Sequence, residues 1–190
     1  ADVPISPMTQ ASFLGLLPQL VSGPPRPRAL GFSLEGVEDD VVILRAPPGA
    51  KVWSAGHNVE ELPESRRDPL GWADPLRSLI REIEIFPAPV IAMIEGGVWG
   101  GACETAFACD LIVAAPSATF AITPARLGVP YNIAGMLTFL NASSLRIGKE
   151  MAFTAKPVSA ERAERLGMIN YVVPGEDLER FTVALAEDIA

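Results

Sequence analysis

The glycine-rich stretch EGGVWGGACE, residues 95–104, is the part of this chain that the surrounding elements present. An apolar run at residues 89–94 predicts a buried strand before it, and residues 102–109 predict a helix after it. Glycine pairs at a strand-to-helix junction let the backbone approach a ligand closely, and the first N–H groups of the helix then point at that ligand. The stretch therefore indicates a site for a developing negative charge, with tight turns alone as the alternative.

A second stretch has the same organisation. The apolar run at residues 41–46 predicts another strand, and a loop then leads to SAGHN at residues 54–58. Two backbone N–H donors, one after each strand, are what an acyl-transfer or enolate-forming enzyme needs to hold a carbonyl oxygen as it gains charge. Together the two stretches favour such an enzyme.

Three motifs carry a family resemblance: SAGHN at 54–58, VWGGA at 98–102 and TFAITPARLGVPYN at 119–132. With them the chain resembles the crotonase (enoyl-CoA hydratase/isomerase) superfamily, and within it the decarboxylating members most closely, from about residue 40 to the end. The resemblance implies an α/β fold, the crotonase-like spiral of repeated ββα units.

The resemblance also implies a set of site residues. The thioester oxygen of an acyl-CoA would lie between the backbone N–H groups of His57 and Gly101, and Tyr131 would place a phenol in the pocket. These three form the expected catalytic set. The residues implied to bind substrate are Ser54, Ala55, Gly56, Asn58, Val59, Gly100, Thr123 and Glu104. Coenzyme A is then part of the substrate, and no separate cofactor is expected.

One departure from the family pattern separates the possible reactions. Hydratases of this family use two glutamates; the first is present as Glu104, but the second position is Pro124, which cannot exchange a proton. Decarboxylation needs no base, because loss of CO₂ supplies the electrons of the enolate. The implied reaction converts a malonyl-type thioester, methylmalonyl-CoA ahead of malonyl-CoA, with Tyr131, His57 or a water as the proton source.

Two other classes stay open at this point. One is another crotonase-type activity, such as hydrolysis, isomerisation or hydration, in which His57 or Glu104 would act as base. The other is a catalytically inert member that binds coenzyme A or serves as a scaffold. Turnover of substrates without a free carboxylate would favour the first, and binding without turnover the second.

The composition of the chain limits the classes of ligand and partner that it can bind. The net charge of −8 argues against a nucleic-acid or anionic-membrane surface, so coenzyme A would have to meet local basic residues. Candidates for that contact are Lys51, Arg66, Arg67, Arg77 and Arg81. The single histidine excludes a histidine-based metal site, and no metal is expected. Cys103 and Cys109 stand six apart in a predicted helix, and free thiols there suggest a reducing compartment. Without a leader-like or membrane-length apolar run, a cytoplasmic protein is expected.

The remaining pattern predicts one domain over residues 1–190. Helices are expected within 1–21, at 74–86 with Asp74 as cap, at 132–144, 146–153 and 159–166, and from Asp177 onward. Further strands are expected at 30–36, 111–115, 118–122 and 168–173, with a proline-rich break at 22–28 and a loop at 60–71. Residues 1–39 match the family's usual start poorly. The resemblance implies further C-terminal helices that build trimers and hexamers, and these are expected to be absent from this sequence. A homotrimer or hexamer is therefore expected if the full-length chain is longer.

Overall fold

The computed structural model describes residues 33–37, 41–47, 49–57 and 74–190, the first of these ranges as backbone only. The predicted helix within 1–21, the proline-rich break and the loop at 60–71 lie outside these residues. Asn58 and Val59 lie outside them as well.

Two sheets contain the nine strands of the described residues. The larger sheet has the spatial order β1 (Ser33–Val37), β2 (Val41–Arg45), β4 (Val90–Ile94), β6 (Leu111–Ala114) and β9 (Tyr171–Val172). The smaller has the order β3 (Val52–Ser54), β5 (Gly97–Trp99), β7 (Thr119–Ala121) and β8 (Val158–Ser159). Pairing is parallel except between β1 and β2 and between β7 and β8.

Seven helices complete the part of the chain that the structure describes. They are α1 (Pro75–Glu84), α2 (Gly101–Ala108), α3 (Pro124–Leu127), α4 (Ile133–Ala142), α5 (Leu145–Thr154), α6 (Ala160–Arg165) and α7 (Leu178–Ile189). Along the chain, a strand of the larger sheet, a strand of the smaller sheet and a helix recur three times: β2-β3-α1, β4-β5-α2 and β6-β7-α3. This is the repeated ββα unit that was predicted. None of the helices described is long and apolar enough to cross a membrane.

The central strands are buried on both faces, which explains their continuous apolar sequences. In β2, Val42 and Leu44 point into the main core between the two sheets, whereas Val41 and Ile43 point into a second core under α7. The period of two follows from the pleat of the strand. These strands therefore form the buried centre from which the loops of the site extend.

Helix α1 begins where the sequence predicts. The Asp74 side chain accepts a hydrogen bond from the Leu76 N–H at 2.9 Å, and Pro75 occupies the first turn, where a missing N–H costs nothing. Leu79, Ile80 and Ile83 are buried in the main core. The cap fixes Asp74 in place, next to the site described below.

Several elements differ from the sequence predictions. The short strands β3, β5 and β8 and the one-turn helix α3 were not predicted, because pairing partners rather than apolar runs define them. The predicted strand at 168–173 was too long: only Tyr171 and Val172 pair, while Met168 and Ile169 turn into the core after Gly167 at φ 69°.

Candidate active site

The loop after β3 and the start of α2 are in direct backbone contact. Gly56 has φ 82°, and a Cβ atom there would lie 2.6 Å from the amide nitrogen of Gly101. A Cβ atom on Gly101 would in turn lie 3.5 Å from the amide nitrogen of His57. Because Gly101 is the first residue of α2, no carbonyl within the helix accepts its N–H. The amide nitrogens of His57 and Gly101 therefore lie close together, as the two donors of an oxyanion hole would have to.

A cleft of about 560 Å³, counting the open space at its mouth, lies at this junction. Seven of the predicted site residues line it: Ala55, His57, Gly100, Gly101, Glu104, Thr123 and Tyr131. The apolar part of the wall is formed by Leu76, Leu127, Val129 and Pro130. The cleft is also lined by Pro124 and Asn132. An apolar cleft with a few convergent polar groups is the usual form of a small-molecule site.

Two other predicted residues lie behind the wall of the cleft. The Ser54 hydroxyl is buried and accepts a hydrogen bond from the Gly56 N–H at 3.1 Å. Gly56 packs against the start of α2. Both residues shape the loop that presents His57, and neither is among the residues that line the cleft.

The imidazole of His57 is hydrogen-bonded to Asp74. The distance from Nε2 to Oδ2 is 2.9 Å, and both side chains are about 15% exposed (14% and 15%). Burial by itself raises the pKa of Asp74, but the hydrogen bond and charge of His57 and the Leu76 amide outweigh it and hold that pKa below its usual value. The sequence identified Asp74 only as a helix cap, because the two residues stand 17 apart with no motif joining them.

Glu104 forms a buried ion pair with Arg77 of α1. Burial raises the pKa of Glu104 to about 7, against the opposing charge of Arg77 and with help from Glu84 and Asp74. The carboxylate also packs on Gly135, where a Cβ atom would lie 2.8 Å from it. Arg77 was one of the candidates for contacting coenzyme A, and that candidacy is corrected because its side chain is buried against Glu104.

Tyr131 brings a phenol to the cleft. Its ring meets Phe139 edge-on, with centroids 5.1 Å apart, and burial raises its pKa well above the usual value, with Cys103 and Glu104 adding to the shift. The group is therefore a neutral hydrogen-bond donor at pH 7. Its hydroxyl is buried, and within the described residues it has no hydrogen-bond partner. A buried hydroxyl without a partner, on a residue that lines the cleft, could donate a hydrogen bond to a polar group of a ligand.

The two cysteines are free and buried, and burial raises the pKa of both thiols. Cys103 donates a hydrogen bond from Sγ to the Val98 carbonyl at 2.9 Å, which fastens α2 to β5. The described residues contain no cluster of three or more His, Cys, Asp or Glu side chains that could hold a metal ion.

Comparison with known proteins identifies the family to which this chain belongs. The enoyl-CoA hydratase/isomerase family model matches residues 28–190, and the chain belongs to this family. The predicted crotonase fold is thereby confirmed. Methylmalonyl-CoA decarboxylase of Escherichia coli K12 is 50% identical over 149 residues, which are 78% of this chain and 57% of that protein. Carnitinyl-CoA dehydratase of Salmonella typhimurium LT2 is 34% identical over 169 residues, which are 85% of this chain and 63% of that protein.

Solved structures agree with this assignment. A crystal structure of methylmalonyl-CoA decarboxylase complexed with 2S-carboxypropyl-CoA superposes with a TM-score of 0.79 at 44% identity, covering 95% of this chain and 65% of that one. Human enoyl-CoA hydratase domain-containing protein 3, at 22% identity and a TM-score of 0.70, covers 84% of this chain and 77% of that one and shares the fold. The chain thus spans about three fifths of the length of the two curated relatives above, 57% and 63%.

Proposed function

We propose that this protein decarboxylates a malonyl-type acyl-CoA thioester, with methylmalonyl-CoA as substrate and propionyl-CoA and CO₂ as products. The 50% identity to a methylmalonyl-CoA decarboxylase supports the proposal. The chemistry of the residues that line the cleft supports it as well.

In this reaction the electrons of the broken carbon–carbon bond move onto the thioester oxygen, where hydrogen bonds stabilise the negative charge. The bond between the α-carbon and the carboxylate breaks, CO₂ leaves, and the electron pair forms the enolate of the thioester. The N–H groups of His57 and Gly101 hold the enolate oxygen, each for roughly 3 to 4 kcal/mol in the transition state. The α-carbon then takes one proton to give propionyl-CoA. Apart from coenzyme A in the substrate, this sequence needs no cofactor.

The observation that carries the proposal is that the cleft has no pair of carboxylates to act as acid and base. Glu104 is the one carboxylic acid among the described residues that line the cleft, and Arg77 holds it in an ion pair. Pro124 stands where a hydratase would have its second glutamate. A cleft with an oxyanion hole and no paired carboxylates suits a reaction that makes its enolate without a base.

The polar groups of the cleft suit a substrate carboxylate. Loss of CO₂ requires that the breaking bond stand perpendicular to the plane of the thioester, so that its electrons enter the carbonyl system. We assign the Tyr131 hydroxyl to donate a hydrogen bond to the carboxylate and hold it in that position, with His57 and Thr123 as further polar contacts. Tyr131, His57 and a water are the three candidate donors of the proton to the α-carbon.

One observation favours a second candidate, double-bond isomerisation. Glu104 faces the cleft and burial raises its pKa to about 7, which is the range that suits a general base. In that reaction Glu104 would move a proton between two carbons of an enoyl-CoA, and no CO₂ would form. The Arg77 partner argues against it, because a base held in an ion pair is not free to accept that proton.

The test is product analysis on three substrates. The purified protein is incubated in D₂O with methylmalonyl-CoA, malonyl-CoA or crotonyl-CoA, and CO₂ and product mass are measured. Decarboxylation predicts CO₂ and propionyl-CoA with one α-deuterium from the first substrate, slower turnover of the second and no hydration of the third. Isomerisation of an enoyl-CoA without CO₂ release would support Glu104 as a base. Binding of propionyl-CoA without turnover of any substrate would indicate an inert member of the family.

A further inference from the structure

The two oxygens of the Asp74 carboxylate have separate partners. Oδ1 accepts the Leu76 N–H at 2.9 Å and so caps α1, whereas Oδ2 lies 2.9 Å from Nε2 of His57. A carboxylate can only accept hydrogen bonds, so Nε2 must carry the hydrogen. The contact therefore fixes the tautomer of the imidazole as well as its orientation.

The first turn of α1 also contacts the other half of the oxyanion hole. A Cβ atom on Gly101 would collide with Cδ2 of Leu76, so the Leu76 side chain packs directly on the Gly101 backbone. Arg77 binds Glu104, three residues beyond Gly101 in α2. One helical turn thus touches both segments whose amides form the hole, and it contacts the His57 segment through Asp74.

We infer that Asp74 is a positioning residue, whose carboxylate holds the His57 side chain, and with it the His57 amide, in register with the Gly101 amide. The inference rests on the proposed function for its effect on rate, but its structural part stands independently. The geometry of an oxyanion hole is exacting, since a displacement of about 1 Å in an active-site group can cost on the order of 100-fold in rate. A fixed imidazole restrains the backbone of the same residue.

The substitution Asp74→Asn separates the two tasks of this side chain. Asparagine caps helices about as well as aspartate, so its oxygen can still accept the Leu76 N–H. Its NH₂ group then stands where Oδ2 faced His57, and a donor replaces an acceptor. Neutral His57 is consequently expected to change from the Nε2–H to the Nδ1–H tautomer. Because the chain contains one histidine, nitrogen NMR reports this tautomer without overlap.

The experiment combines that spectrum with kinetics on methylmalonyl-CoA. We expect Asp74→Asn to lower kcat by about 10- to 100-fold while KM changes less than threefold. In a His57→Gln background the same substitution should change kcat less than twofold, because Asp74 acts through the ring. Ser159→Ala, which removes the cap of α6 away from the cleft, should leave kcat and tautomer unchanged.

An unchanged tautomer in Asp74→Asn, or an unchanged kcat, overturns the inference. A full additional loss in the His57→Gln background also overturns it. If the unsubstituted protein does not decarboxylate methylmalonyl-CoA, the proposed function fails by itself. The inference is then decided by the tautomer and by calorimetric binding of propionyl-CoA, which Asp74→Asn should weaken if the two amides hold the thioester oxygen.

Discussion

Arg77 and Glu104 form an ion pair with side chains only 8% and 2% exposed, and the pair joins α1 to α2 directly beneath the cleft. Removing two charges from water is costly, and their attraction repays that cost only while both are present. The pair therefore fixes the packing of the two helices that carry the site, and it is expected to be sensitive to loss of one partner.

Replacing Arg77 alone should destabilise the fold. Arg77→Met leaves the Glu104 carboxyl buried without its partner. At pH 8.5, above the pKa of about 7 that Glu104 has beside Arg77, we expect a loss of about 3 to 5 kcal/mol in the free energy of unfolding, measured by urea denaturation. The double variant Arg77→Met with Glu104→Leu should recover most of that loss, since no charge then remains. Arg162→Met is the matched control, because the Arg162–Glu150 pair is exposed and its loss should change stability little. A double variant no more stable than Arg77→Met would contradict the prediction.

The raised pKa of Glu104 predicts a pH dependence of stability. Burial raises it from an ordinary value of 4.5 to about 7, so between these values the folded state binds more protons than the unfolded state. Stability from this group is therefore full below pH 4.5 and falls as the pH rises toward 7. Urea midpoints of the unsubstituted protein and of Glu104→Gln, measured across that range, should diverge in their slopes. Parallel curves would show that Glu104 is ionised in the fold throughout.

The substitution Tyr131→Phe, which removes a buried hydroxyl, should affect the reaction rate and the thermal stability differently. We expect decarboxylation of methylmalonyl-CoA to fall more than tenfold, because the donor assigned to the substrate carboxylate is gone. Thermal stability should stay equal or rise slightly, since the substitution removes a buried hydroxyl without a partner among the described residues. Tyr171→Phe, on β9 and half-exposed, is the control for a phenol away from the cleft. A near-normal rate in Tyr131→Phe would refute the assigned role.

The parts of this fold that sequence predicts are those fixed by local pattern. Strands β2 and β4 follow from continuous β-branched and apolar runs, and α1 from its Asp74 cap and proline. Strand β5 escapes such reasoning because glycine weakens a strand pattern. Its pairing with β7, where Val98 opposes Phe120, defines it and depends on the whole sheet.

The same distinction separates the parts of the site. His57, Gly101 and Tyr131 lie within family motifs, so the resemblance identifies them and the cleft brings them together. Asp74 and Arg77 lie in no motif, and their partners stand 17 and 27 residues away. The packing of α1 against α2 places Arg77 beside Glu104, and the packing of the start of α1 against the loop after β3 places Asp74 beside His57. Neither contact can be read from a local sequence pattern.

The backbone contact between Gly56 and Gly101 offers the sharpest test of whether the His57 and Gly101 amides form an oxyanion hole. Gly56→Ala would place a Cβ atom 2.6 Å from the Gly101 amide nitrogen and would strain a residue at φ 82°. Because the two segments must separate, we expect kcat to fall by about 100-fold or more, the usual loss for one oxyanion donor. Gly167→Ala is the matched control, since its φ of 69° brings a similar backbone strain with no atom within 4 Å of the added carbon. Both variants should lose some thermal stability, but only Gly56→Ala should lose turnover after correction for the folded fraction. Equal kcat in the two variants would mean that the His57 and Gly101 amides do not hold the reacting oxygen.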